Sequence, residues 1–193
     1  MRFANVPSSA AWRHDDARDG FEVVFMRSTP EGMAFAGQTA AVEAGEAWAV
    51  RYSIVVDARW VTQRARICAL SAAGQREVAL DACGDGSWSI NGGRAPRLDG
   101  CLDVDLEASS LTNAFPVHRL GLAVGAAADA PAVYVRASDL NVERIEQRYV
   151  RLEDDDDRQR YDYTSPQFEF RCELLYDRSG PVLDYPGIAK RAA

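Results

Sequence analysis

Val61-Thr62-Gln63-Arg64-Ala65-Arg66-Ile67-Cys68-Ala69 alternates with a period of two, Val61, Gln63, Ala65, Ile67 and Ala69 on one side, Thr62, Arg64 and Arg66 on the other. That period belongs to a strand, whose successive side chains point to opposite faces. Arg76-x-Val78-x-Leu80-x-Ala82 repeats it just downstream, so one face of the sheet is dry. Working outward, Met33 to Ala44, Ala47 to Asp57, Trp60 to Ala72 and Gln75 to Cys83 form a group of four such runs, parted by Gly or polar turns. In the C-terminal third, Pro131 to Ser138, Val142 to Leu152, Gln159 to Thr164 and Gln167 to Tyr176 continue the series. The last of these predicts Phe168, Phe170, Cys172 and Leu174 inward and Gln167, Glu169, Arg171 and Glu173 outward. Helix is scarce: Leu111 to Leu122 offers a turn or two, limited by Pro116.

The sum is an all-β, mainly antiparallel chain of roughly eleven to thirteen strands with little helix, and a sheet that long curls or closes to cover its apolar face. We therefore expect a highly curved sheet or barrel, wide enough to leave a cavity or open mouth. A two-sheet sandwich satisfies the same periodicity. With 193 residues, 47% of them hydrophobic, and no linker-like stretch, residues 1–193 read as a single domain. The acidic run Glu153 to Asp157 reads as a solvated loop rather than a cation site.

A formal charge of −7, from 22 basic against 29 acidic residues, argues against nucleic acid or an anionic membrane surface as partner. Arg13, His14, Asp15, Asp16, Arg18 and Asp19 interrupt any apolar core of a signal peptide, and no run approaches the length of a membrane-spanning helix, so the expected location is cytoplasmic and the chain is not expected to be an integral membrane protein. Cys68, Cys83, Cys101 and Cys172 are widely spaced and read as free buried thiols, and His14 and His118 have no ligand spacing, so no metal is expected. Neither a nucleophile elbow nor a phosphate-binding loop is present; no cofactor is implied and no catalytic residue is named.

Chemistry-bearing residues crowd between Gly84 and Leu120. Asp85-Gly86 and Asn91-Gly92-Gly93 signal two tight turns around a short strand from Trp88 to Ile90, with Arg94 to Leu98 returning. Leu102-Asp103-Val104-Asp105-Leu106 then puts both carboxylates on one strand face, their Cα atoms about 6.5–7 Å apart. That separation suits a glycosidase pair, yet an exposed polar face or a turn contact yields the same pattern. Thr112, Asn113 and Arg119 offer hydroxyl, amide and guanidinium groups to sugar hydroxyls or a phosphate; equally, Thr112 and Asn113 cap a reversal while Arg119 pairs with Asp103 or Asp105. Among the aromatic residues, Trp88, Tyr161 and Tyr163 are candidates to pack on a sugar ring or acyl chain, Tyr161 and Tyr163 sharing one strand face, although most aromatic side chains of such a fold fill its core.

The order Gly-Asp-Gly-x-Trp, Leu-x-Gly-x-x-Asp-Val-Asp-Leu and Thr-Asn-x-x-Pro-Val-x-Arg-Leu resembles a small bacterial family described as putative glycolipid-binding proteins. Gln147-x-Tyr149, Tyr161-x-Tyr163 and Asp177-x-x-Gly180-x-Val182-x-x-Tyr185-Pro186 extend the resemblance from about Gly37 to Pro186. One departure is His118, where the family pattern implies a basic residue such as arginine. The resemblance implies a fold like that of lipid-carrying proteins and a glycolipid or other amphipathic small molecule as partner, with Asp103, Asp105, Asn113 and Arg119 near its polar group and a role in glycolipid metabolism. Two alternatives remain open on the residues alone: a hydrolase of sugars or glycolipids using Asp103 and Asp105, or a structural, oligomerising protein without a ligand.

Overall fold

The computed structural model describes residues 3–16, 18–83 and 86–193. Seventeen strands occur among them. β1 (Ser9–His14), β2 (Asp19–Thr29), β3 (Gly32–Glu43), β4 (Glu46–Asp57), β5 (Thr62–Ser71), β6 (Gly74–Ala82), β7 (Trp88–Ile90) and β8 (Gly93–Arg94) meander antiparallel, each beside the next. The chain then runs through β9 (Asp103–Leu106), a 3-10 turn at Leu111–Asn113, helix α1 (Ala114–Leu120), β10 (Ala127–Asp129), β11 (Ala132–Val135) and β12 (Val142–Ile145). It returns as a second meander, β13 (Arg148–Arg151), β14 (Gln159–Ser165), β15 (Phe170–Tyr176), β16 (Val182–Tyr185) and β17 (Ala189–Arg191). β17 pairs with β1, Trp12 opposite Arg191, which joins the two meanders into one fourteen-stranded sheet with β10 and β8 at its edges.

The remaining three strands form a small sheet, β12-β11-β9, with β9 and β11 parallel. The register fixes its two faces. Val104, Leu106, Val133, Val135 and Val142 belong to the large apolar core with Trp12, Val24, Phe35, Tyr52, Ile54 and Leu80 from the first meander. Asp103, Asp105, Ala132 and Tyr134 point the other way, towards the limb made by the second meander: Asp105 meets Gln147, and Tyr134 packs on Phe168 with ring centroids 5.2 Å apart. The large sheet thus wraps around a three-stranded insert, and the insert occupies the interior that a hollow barrel would leave open. It is moored to β5, where Thr62 N–H donates to the Leu102 carbonyl and the Thr62 hydroxyl accepts from Val104 N–H.

The four strands β3 to β6 lie within two residues of their sequence limits, and Asn91 and Gly92 adopt the positive φ angles of a tight hairpin turn. Of the first expected turn, Asp85-Gly86, Asp85 lies outside the described residues. Pro116 is accommodated in the first turn of α1, where its missing N–H has no intrahelical partner to lose. The strand count exceeds the expected range because several strands are only two to four residues long, and because β1 and β2 escaped the reading. In β2 both faces carry apolar residues, Phe21, Val23 and Phe25 outside and Val24 and Met26 inside, while the inward series begins with Glu22; alternation is erased. At the start of β5 the inward phase is shifted. A bulge between Val55 and Val56 pairs Val56 with Thr62 and Val55 with Arg64, so Thr62 is buried and Val61 and Gln63 are only half-buried. Phe168 sits in a 3-10 turn before β15, outside the strand, and is exposed rather than inward.

Gly37 is needed for packing rather than for a turn. A Cβ there would lie 2.3 Å from Cζ and Oη of Tyr52, a core residue. Gly37→Ala is expected to cost about 1–3 kcal/mol by overpacking, read as a lowered urea midpoint; an unchanged midpoint would contradict the fit described.

Candidate functional site

A cavity of about 280 Å³ opens where the small sheet meets the second meander. Asp105, Leu106 and Glu107 form one wall, with Ser109 and Asn113 from the turn that follows; Tyr163, Ser165, Phe170 and Tyr185 from β14 to β16 form the opposite wall. Tyr134, Phe168, Arg136, Arg18 and Ile188 complete the lining. Its volume falls at the lower bound for small-molecule pockets, about 300 Å³, and matches a sugar ring better than a whole lipid.

The polar wall is tightly bonded. Asp105 accepts from the Thr112 hydroxyl at 2.8 Å and from Gln147 Nε2 at 2.6 Å, and the same Gln147 nitrogen lies 2.9 Å from the Tyr163 hydroxyl. Burial pushes the Asp105 carboxyl up to about 6, against the opposing effect of the Thr112 and Gln147 bonds. Asn113 accepts from the Tyr149 hydroxyl at its side-chain oxygen (2.9 Å) and from the Tyr176 hydroxyl at its backbone carbonyl (3.2 Å). Glu107 receives Ala137 N–H at 2.7 Å. Arg18 lies over the Trp48 ring at 5.2 Å and donates to the Glu107 carbonyl at 3.3 Å. At the mouth Phe168 and Arg136 are exposed enough to meet solvent, and Arg136 pairs with Glu143 at 2.8 Å.

Behind the cavity wall lies a fully buried carboxyl. Glu22 Oε1 accepts from the hydroxyls of Tyr52 and Ser109, each at 2.5 Å, and Oε2 from Ser110 N–H at 2.8 Å. Burial raises its pKa to about 7 even so.

Of the eight residues singled out from sequence, Asp105, Asn113 and Tyr163 line the cavity together, and Thr112 supports Asp105 from behind. Asp103 faces α1, where Arg119 donates to it from Nε at 3.1 Å and Nη2 at 2.5 Å; the pair does not line the cavity. Trp88 is fully buried in the first core and donates its indole N–H to the Cys101 carbonyl. Tyr161 is buried beneath the Arg151 guanidinium, 5.1 Å from its ring, and contacts Gln159. His118 stacks flat on Trp60 at 3.7 Å, and burial pushes its imidazole down to about 3, so a neutral ring fills an aromatic slot where the family pattern implies a cation. The acidic run is largely solvated, and its Asp154 pairs with Arg151. Of the four cysteines, all free, only Cys101 is buried; Cys68 and Cys172 are half-buried and Cys83 is exposed. Among the described residues no group of three His, Cys, Asp or Glu side chains is placed to hold a metal ion, and no helix is long and apolar enough to cross a membrane. Sequence reasoning did not name Arg18, Glu22, Ser109 or Gln147 as site residues. Gln147 left a trace in the Gln147-x-Tyr149 motif, and Glu22 as a lone carboxylate inside the apolar run Phe21 to Met26.

Wrapped sheet, insert and lateral cavity define a β-barrel-like architecture, and the comparisons agree. The family described as "Putative glycolipid-binding" matches residues 9–191, and the chain belongs to it. A crystal structure of a DUF1089 family protein from Pseudomonas aeruginosa is 31% identical, with a TM-score of 0.78, covering 99% of this chain and 96% of that one. A β-barrel-like protein of the domain of unknown function DUF1849 from Brucella abortus shares the fold at 14% identity, with a TM-score of 0.54 over 98% of this chain and 95% of that one. None of the curated proteins matches.

Proposed function

We propose that this protein binds a glycolipid or a related amphipathic sugar, taking the sugar into the lateral cavity and leaving the lipid at its mouth, with a role in glycolipid metabolism. The observation that carries this reading is the make-up of the cavity: a carboxylate, an amide and a tyrosine hydroxyl converge on a space the size of one sugar, walled by Tyr134, Phe170 and Tyr185. Aromatic faces pack on sugar rings while polar groups fix their hydroxyls. Phe168, 41% exposed at the rim, supplies an apolar landing for the start of the lipid chain.

The test is mass spectrometry of the organic extract of freshly purified protein, beside an Asn113→Ala, Phe168→Ala variant shown to be folded by circular dichroism, with octyl glucoside titrated into both. We expect a co-purifying glycolipid, or saturable binding of octyl glucoside, in the wild type and at least a tenfold loss in the variant, since each hydrogen bond or apolar contact removed is worth about 1 kcal/mol. No lipid and no saturable binding in the wild type would sink the reading. A second reading, a sugar-acting enzyme, is favoured by one observation: Asp105, raised to about 6, shares the cavity with Glu107. Asp103 is held by Arg119 away from that space, so the pair to test is Asp105 and Glu107.

A further inference from the structure

The outside of strands β2 to β5 carries a second feature, independent of the cavity. Strand register places the outward residues in rows across the sheet. One row reads Phe21, Ala40, Ala49 and Leu70, apolar throughout. Another reads Phe25, Ala36, Ser53 and Arg66, in which two small side chains lie between larger ones. Those small residues are the floor of a trough of about 650 Å³, which continues into a further 440 Å³ space sharing Phe25, Ala36 and Ser53. Four of the six large apolar side chains exposed among the described residues, Phe21, Phe25, Val42 and Leu70, lie on this face, and Phe25 is 64% exposed.

The trough is flanked by cations. Arg51 lines its larger stretch and Arg27 and Arg64 the smaller. Among the described residues none of the three has an ion pair or a side-chain hydrogen bond, unlike Arg66, which is tied to Asp81 at 2.7 Å. Glu77, at the far rim, is the one acidic residue lining either stretch. In a chain of net charge −7, this local excess of unpaired guanidinium groups beside apolar surface is the reverse of the global balance. A second copy of the chain, set face to face, would bring arginines against arginines. A flat bilayer would meet the rims of a concave trough without filling it. A narrow apolar chain ending in an anion satisfies both shape and charge.

We propose that this trough binds a single-chain anionic amphiphile such as a long-chain fatty carboxylate, its chain laid on the Ala36–Ser53 floor against Phe25 and its head paired with Arg51. The probe is laurate below its micellar concentration, titrated by calorimetry into the wild type, Arg51→Ala and Ala36→Trp. Both substitutions are on the exposed face, and thermal unfolding verifies that each variant is folded. Saturable one-to-one binding is expected in the wild type, weakened about tenfold or more by Arg51→Ala, as loss of a charge-assisted hydrogen bond implies, and abolished by Ala36→Trp, which fills the floor. Absence of saturable binding, or binding that Ala36→Trp leaves intact, overturns the proposal. So does concentration-dependent dimerisation blocked by Phe25→Ser, which would assign the face to a second copy. Co-sedimentation with phosphatidylglycerol vesicles without binding of free laurate would assign it to a lipid surface and equally overturn it.

Discussion

Arg119→Met is expected to lower stability by about 3–5 kcal/mol, the range for breaking a buried ion pair from one side. Asp103 is 1% exposed, and Arg119 supplies its two side-chain hydrogen bonds. Burial raises the Asp103 carboxyl even with the guanidinium in place; without it the anion is left in an apolar interior. The loss is therefore expected to shrink as the pH is lowered, because a protonated Asp103 is cheaper to bury. A double variant, Asp103→Asn with Arg119→Met, is expected to recover much of the loss, since the uncompensated charge is gone. Urea unfolding at pH 7 and pH 5 checks all three statements; equal destabilisation of the single and double variants would show that the arginine acts through packing instead.

Glu22 gives the second large effect, and its sign is set by the direction of the shift. The carboxyl is raised from 4.5 to about 7 by burial, so between these values the folded chain keeps a proton that the unfolded chain has released. Stability falls as pH rises through that window, by about 3 kcal/mol in all. Asp105, raised from 3.8 to about 6, acts in the same direction at lower pH. Glu22→Gln is expected to remove the Glu22 contribution while preserving the site: its amide oxygen accepts from Ser110 N–H as Oε2 does, and its amide nitrogen donates to the hydroxyls of Tyr52 and Ser109. The measurement is the difference between wild type and variant in unfolding free energy at pH 5 and pH 8. If both proteins change equally over that interval, Glu22 is not the titrating group.

The sheet was legible in sequence wherever one face of a strand is dry and the other wet. Strands β3, β4 and β6 meet that condition and fall where alternation places them. β2 does not, because its outer face bears Phe21, Val23 and Phe25, and the apolar outer face that hid the strand also helps form the trough. The Asp103 and Asp105 pair was read correctly as sharing one strand face. Whether that face meets water, a ligand or protein depends on α1 and Gln147, which come from elsewhere in the chain and cover it. A total charge of −7 likewise carries no information on where Arg27, Arg51 and Arg64 gather. The cavity draws residues from as far apart as Arg18 and Ile188, and no local pattern announces such a gathering.

The pairing of β17 with β1 has a consequence for how the molecule comes into being. Its partners, Trp12 and Arg191, are separated by nearly the whole chain, so the seam is among the costliest contacts in loop entropy and among the last to form. On the ribosome the first meander emerges early with an open edge at β1, and β17 is the last of the seventeen strands to arrive. Before the second meander arrives, Asp105 on the polar side of the small sheet waits in water, where its carboxylate is at ease. Arg119 of α1, which follows β9 closely in the chain, covers Asp103, so it is the burial of Asp105 that is deferred until the second meander brings Gln147 and Tyr163 over it.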